Sequence, residues 1–340
     1  MPASSSNKQA RFTPPEPGRR RLLGAGLLGG GVGLLAPWPA LAQDAWPAKP
    51  LHFVVPFGPG GANDIVARAV AEATARQLGQ AIIIENKPGA GSMIGAAYVA
   101  KAAPDGYTFL TPAAGVITNA LIKSRMPYEE GDLLPVVMMA VSPSVLVVPA
   151  DSPIKDLKGL IAASRKGPGL NFATAGTGST PHFVAEMLKL RTGAKLQIVP
   201  FKSGSEGMAA VVGNQVDVTS EASPVVLPMV KAGRLRAIAS TWSRRIAALP
   251  DVATAQEQGF QDIVIGHWSG VFAPKGTPEA VLDRLNAAVN AALKSSELRA
   301  KLIPLAIDPT GGSRAEFRSF LAAEKARLAP VAQAAQMKED

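Results

Sequence analysis

One device recurs along this chain: a short apolar run, a turn of small residues, and then the start of a helix. It occurs at 54–64, 172–182, 199–206 and 218–225. The apolar runs suit strands covered on both faces, as in parallel sheets. Strand, turn and helix in repeated order predict an α/β fold. The first copy spans Phe53-Val54-Val55, then Pro56-Phe57-Gly58-Pro59-Gly60-Gly61, then Ala62-Asn63-Asp64. Its glycines leave backbone N–H groups uncovered, and Asn63 reads as the N-cap of a helix to about residue 78. A bare helix start beyond a buried strand is a place to hold an anion.

In order, a strand is expected over 81–85, a helix over 92–102 and a strand over 107–110. Residues 133–149 read as two apolar runs broken at Ser142-Pro143-Ser144, where the chain first crosses into a second domain. There the rhythm resumes, with a helix over 156–164 and a strand over 170–174. Pro181 suits a first helical turn, with Ser179 or Thr180 as cap. Ser203 and Glu206 are spaced as a capping box, and so are Ser313 and Glu316. A strand over 216–220 ends at Glu221, and Pro278 opens an amphipathic helix to Leu293. In open α/β sheets ligands lie off the carboxyl ends of strands. Two such sheets joined by two crossings gather these helix starts around one cleft, which suits a small anion held by N–H groups and hydroxyls.

Composition narrows the setting. The 340 residues and 47% hydrophobic content suffice for two domains of ordinary size. Net charge is +9, but Lys8, Arg11, Arg19, Arg20 and Arg21 against Glu16 place four of those charges in the first 42 residues. The rest are scattered, with no dense basic run, which argues against nucleic acid. Arg19-Arg20-Arg21, the apolar run Leu22–Leu35 and Ala40-Leu41-Ala42 read as an export signal over 1–42, cleaved near Ala42. Gly18-Arg19-Arg20-Arg21-Leu22-Leu23 is similar to the twin-arginine signal, and Sec export stays open. There is no cysteine, which excludes disulfides, thiol catalysis and a lipid-anchored Cys. A periplasmic location is expected. No catalytic constellation is visible. There is no Gly-x-Ser-x-Gly, and His52, His182 and His267 lack metal spacing. Gly58-Pro59-Gly60 with Glu85 has some dinucleotide-site character, but Asn63 stands where a third glycine is needed. No metal or cofactor is therefore expected.

Longer blocks make the chain similar to a known family. They are Trp46-Pro47-Ala48-Lys49-Pro50, Val55–Gly61, Glu85-Asn86-Lys87-Pro88-Gly89-Ala90-Gly91 and Ala103–Thr108. They continue with Ala175–Ser179, Val199–Lys202, Gly213–Asp217, Lys231–Ala237 and Phe272–Pro278. In this order the chain resembles the Bug-type periplasmic solute-binding proteins, receptors of tripartite tricarboxylate transporters. The resemblance implies a type II Venus-flytrap fold, periplasmic-binding-protein-like, with two α/β domains flanking a ligand cleft. Domain 1 is expected over 43–141 and 268–340, and domain 2 over 142–267. It implies a monomeric, non-enzymatic receptor that takes a small organic carboxylate to membrane transporter subunits. A sensor that passes occupancy to a signalling protein shares the fold and stays an alternative, and a nucleotide-dependent enzyme is a weaker one.

By position, the resemblance makes Phe57 an apolar wall and Gly60, Gly61, Ala62 and Asn63 a backbone cradle. Asp64 would orient that loop or its waters, or serve only as a first-turn acid. Gly178, Ser179 and Thr180 would donate from the second domain. Glu221 would face a ligand amine or hydroxyl, or be a solvated strand-end acid. His182 reads as a local helix-start residue and Lys202 as an exposed lysine. The chain departs from the family at Ala62-Asn63-Asp64, Thr180-Pro181-His182, Phe201-Lys202-Ser203 and Ser220-Glu221-Ala222. The last two lie where the distal end of a ligand is expected, so the identity of the carboxylate stays open.

Overall fold

The computed structural model describes residues 46–338. The expected export signal over 1–42 lies outside the described residues.

The chain runs β1 (Leu51–Val55), α1 (Ala62–Leu78), β2 (Ile82–Asn86), α2 (Met93–Ala100), β3 (Thr108–Leu110) and α3 (Gly115–Ile122). It crosses on β4 (Leu133–Pro149) to α4 (Leu157–Ser164), β5 (Leu170–Thr174), α5 (Thr180–Thr192), β6 (Leu196–Pro200) and α6 (Gly204–Val212). There follow β7 (Val218–Ala222), α7 (Ser223–Lys231), β8 (Leu235–Ser240), β9 (Gly266–Pro274), α8 (Glu279–Lys294), α9 (Ser296–Leu302), β10 (Asp308–Pro309) and α10 (Arg314–Ala334).

The strand order is β2-β1-β3-β9-β4-β7-β5-β6, with β8 and β10 also on β4. β1 is parallel to β2 and β3, and β5 is parallel to β6 and β7. The break expected at Ser142-Pro143-Ser144 is a change of partner inside one 17-residue strand. Up to Pro143, β4 pairs antiparallel with β9; from Ser144 onward it pairs with β7 and β8. Proline brings no N–H to a ladder, so it sits where one set of bonds ends and the next begins.

Each half of this sheet is covered on both faces. Around β1 and β3, Phe53 and Phe109 meet edge-on and pack with α1 and α8 through Val66, Val70, Leu282 and Leu285. On the other face Val54, Leu110, Trp268 and Phe272 pack with Phe317 and Leu321 of α10. Around β5 and β7, Phe172 and Phe183 form one core, and Val147, Val211 and Val226 another. α10 continues past the first half, and its Leu328 and Ala332 join the Phe172 core. The periodicity of α1 buries Val66, Val70, Ala73 and Leu78, and Gly79 ends it in the left-handed region at φ 69°.

Several local expectations change. Asn63 is not the N-cap of α1; Gly61 is, and Asn63 turns inward to donate from Nδ2 to the Thr111 carbonyl at 2.7 Å. That bond ties α1 to the end of β3, a tertiary partner that outweighs local capping preference. Ser203 caps α6, but Glu206 Oε2 accepts from the Lys202 N–H, so the box does not close. Ser313 and Glu316 do close theirs. α3 and α9 have no counterpart among the expected elements. α3 follows the small-residue run Pro112–Gly115, and no side chain caps it.

Candidate functional site

The carboxyl ends of β1, β5, β6 and β7 and the helix starts beyond them surround two adjoining cavities that share Phe57 and Ala175. The inner pocket, of about 40 Å³, is lined by Phe57, Gly61, Ala62, Asn63, the Ala113–Gly115 turn, Ser179, Thr180, Pro181, Gly204, Glu221 and His267. The outer cavity, of about 380 Å³, is lined by Gly89–Ser92, Ala175–Thr177, Pro200–Lys202 and Glu206.

Two helix starts face the inner pocket without side-chain caps. α1 begins at Gly61, and the first intrahelical bond runs from the Ile65 N–H to the Gly61 carbonyl. α5 begins at Ser179, whose Oγ donates back to the Gly176 carbonyl at 2.6 Å. The leading N–H groups of a helix have no intrahelical acceptor, and they carry the positive end of its dipole. No lysine or arginine lines this pocket, so backbone supplies its positive potential.

Asp64 holds the first of these loops. It is 3% exposed, and its Oδ2 accepts from the Gly60 N–H at 3.0 Å and from Arg68 Nε at 2.9 Å. Its Oδ1 accepts from Asn86 Nδ2, which also donates to the Phe57 carbonyl. Burial raises its pKa, but the bonds from Arg68, Gly60 and Asn86 outweigh that and hold the carboxyl below 3.8. Asp64 therefore shapes the loop from behind, and neither it nor Gly60 nor Gly178 lines the inner pocket. The Gly178 carbonyl accepts from Thr118 Oγ1 at 2.7 Å and its N–H donates to His182 Nδ1. His182 serves that turn locally.

The far wall is made differently. Glu221, at the end of β7, is 3% exposed; Oε2 accepts from the Ala222 N–H at 3.2 Å and Oε1 has no partner. The carboxyl lies against Gly204, where a Cβ would collide with it. Desolvation pushes Glu221 up to about 7. Beside it, His267 Nε2 lies 3.1 Å from Ser144 Oγ, which lies 2.8 Å from Ser220 Oγ. Desolvation drives the His267 imidazole well below its ordinary range, so it is neutral.

Contacts cross the cleft. Ser205 Oγ donates to the Pro59 carbonyl at 3.1 Å, and Thr118 Oγ1 donates to the Gly178 carbonyl at 2.7 Å. The structure is thus in a closed arrangement. Phe57, Gly61, Ala62, Asn63, Ser179, Thr180 and Glu221 come together around the inner pocket. Ala113–Gly115, Gly204 and His267 were not singled out, and only the small-residue character of the first group hinted at it. Asn86 belongs to a block that carries the family resemblance. Glu85 pairs with His52 at 2.5 Å instead of lining either cavity, so the dinucleotide pattern has no counterpart here. Among the described residues no acidic, histidine or cysteine cluster could hold a metal ion, and no helix is long and apolar enough to cross a membrane.

Comparison with known proteins settles the family. Residues 66–337 match the tripartite tricarboxylate transporter family receptor model. The chain belongs to this receptor family. Protein BugT of Bordetella pertussis is 34% identical over 304 residues, covering 88% of this chain and 92% of BugT. The periplasmic binding protein BugD superposes with a TM-score of 0.83 at 29% identity, covering 87% of this chain and all of BugD. MatC of Rhodopseudomonas palustris, solved with bound malate, gives 0.81 at 32% identity over 84% of this chain and 99% of MatC. The fold of this chain is the two-domain α/β fold of these periplasmic binding proteins, with the cleft between.

Proposed function

We propose that this protein is a periplasmic receptor that captures a small organic carboxylate and delivers it to a tripartite tricarboxylate-type membrane transporter. The observation that carries this reading is the convergence of two uncapped helix starts, α1 and α5, on one small pocket free of cationic side chains. Such N–H groups hold a carboxylate without a lysine or arginine. Phe57 is the apolar wall, Gly61, Ala62 and Asn63 form the cradle that Asp64 braces through Gly60, and Ser179 and Thr180 close from the other side on the turn that Gly178 and His182 shape. Domain 1 comprises 43–141 and 268–340, and domain 2 comprises 142–267, after removal of the 1–42 export signal. A malate-bound relative of the same fold supports the ligand class. A ligand that touches both walls favours closure, and closure is the form a transporter reads.

The test is thermal unfolding of the mature protein against a panel of carboxylates and nucleotides, since a ligand of the native state raises Tm. A carboxylate is expected to raise it, and Phe57→Ala or Ser179→Ala to abolish the shift. X-ray scattering should show compaction with the same ligand. A shift with nucleotides alone, or identical scattering profiles with and without a bound carboxylate, would overturn the reading.

A further inference from the structure

We propose that the solute is a short amino carboxylate, its carboxylate against the starts of α1 and α5 and its ammonium against Glu221 Oε1. This rests on the receptor reading and names the ligand class of that same pocket. Glu221 is almost fully buried, yet Oε1 has no partner in the protein. A buried carboxylate oxygen without a donor is costly, and a donor brought by a ligand removes that cost. Gly204 keeps the space that the carboxyl occupies, so its place is built into the fold and is not an accident of a mobile side chain.

The charges around it favour a cation. From β7 comes Glu221 itself, and from β9 comes His267, neutral and turned to Ser144. α6 presents Gly204, α1 presents Gly61, Ala62 and Asn63, and α5 presents Ser179, Thr180 and Pro181, none of them titratable. Asp64 and His182 are occupied behind their loops. A dicarboxylate would set its second carboxylate against Glu221 with no cation on this wall to balance it. An amino carboxylate meets a positive helix start at one end and an acid at the other, so both ends match.

Protons sharpen the point. An ammonium needs Glu221 ionised, so protonation of Glu221 competes with the ligand and affinity falls as pH drops below the raised pKa of this group. A dicarboxylate needs Glu221 protonated as a donor, so its affinity would rise over the same range. The experiment is calorimetric titration of the mature protein with 4-aminobutanoate, succinate and butanoate at about pH 5.5 and about pH 8. The expected result is that 4-aminobutanoate binds tightest and loses about tenfold or more on going to the lower pH. Glu221→Gln should cost it about tenfold and erase the pH dependence, while circular dichroism and Tm show an intact fold. Tighter binding of succinate or butanoate, an affinity that does not change with pH, or an unchanged Glu221→Gln variant would overturn this inference and leave the receptor reading standing. If no carboxylate, malate included, binds at either pH, both fall together.

Discussion

Two buried acids stand near the pocket, Asp64 behind the Gly60 loop and Glu221 in the wall, and their surroundings differ. Asp64 accepts from a backbone N–H, an arginine and an asparagine, and stays ionised. Glu221 accepts one backbone bond and is pushed up to about 7. Burial opposes ionisation at both, and only the number of donors separates the outcomes. The protein has thus completed the acid that braces the Gly60 loop. In the pocket wall it has left an acid incomplete, the place where the proposed ammonium would sit.

The largest test of this contrast is Asp64→Ala. It strips the acceptor from three donors, and even discounting the half-exposed Arg68 it should cost about 3 to 4 kcal/mol of stability by urea unfolding. Carboxylate binding should be lost with it. If stability and affinity barely change, Asp64 does not brace the loop.

Glu221→Gln should act in the opposite direction. The folded-state pKa of Glu221 is raised from its ordinary 4.5 to about 7. The folded protein therefore holds this proton more tightly than the unfolded chain, and stability falls as pH rises through that window. The variant should gain on the wild type by up to about 3 kcal/mol between about pH 4.5 and 8, with no further change above. His267, whose lowered pKa makes stability fall as pH drops below its ordinary 6.5, is common to both proteins and cancels in the difference. Asp64 cancels likewise. A pH-independent difference would mean that Glu221 titrates normally.

A smaller effect is expected where the two walls meet. Gly91 has φ 60°, and a Cβ there would lie 2.5 Å from the Thr177 carbonyl. Gly91→Val should hold the cleft open, weakening any cleft ligand about tenfold, or roughly 1.4 kcal/mol. Scattering should show no compaction at saturating ligand; a normal closure would remove Gly91 from the hinge of this contact.

The smallest compares two helix caps. Ser203 and Ser313 each accept from the N–H three residues on, so alanine at either should cost about 1 kcal/mol. Only Ser203 lies beside the cleft, packed near Gly58. Ser203→Ala alone should weaken the ligand, and equal effects on binding would place recognition elsewhere.

The turns and helix starts around the pocket were largely legible in the sequence. Gly60 and Gly61, with Ser179 ahead of Pro181, are turn and helix-start signals whose chemistry is backbone chemistry, so neighbouring residues announce it. Asn63 shows where such reading stops. Local preference makes it a cap, but the carbonyl of Thr111, 48 positions away, makes it a tie between α1 and β3. α9 was missed because it follows α8 almost without a break.

The far wall was beyond reach for a related reason. Glu221 looked like a strand-end acid of either kind, and Gly204 and His267 gave no sign of meeting it. The α/β rhythm and the helix starts suited to an anion follow from periodicity and turn chemistry, which act over a few residues, while the Venus-flytrap class came from the family resemblance. Whether an acid is paired or orphaned depends on which strands and helix starts the sheet sets side by side. β4 changes partner at Pro143 and so brings the end of β7 to the start of β9, and that long-range pairing, with the desolvation it imposes, decided the character of Glu221.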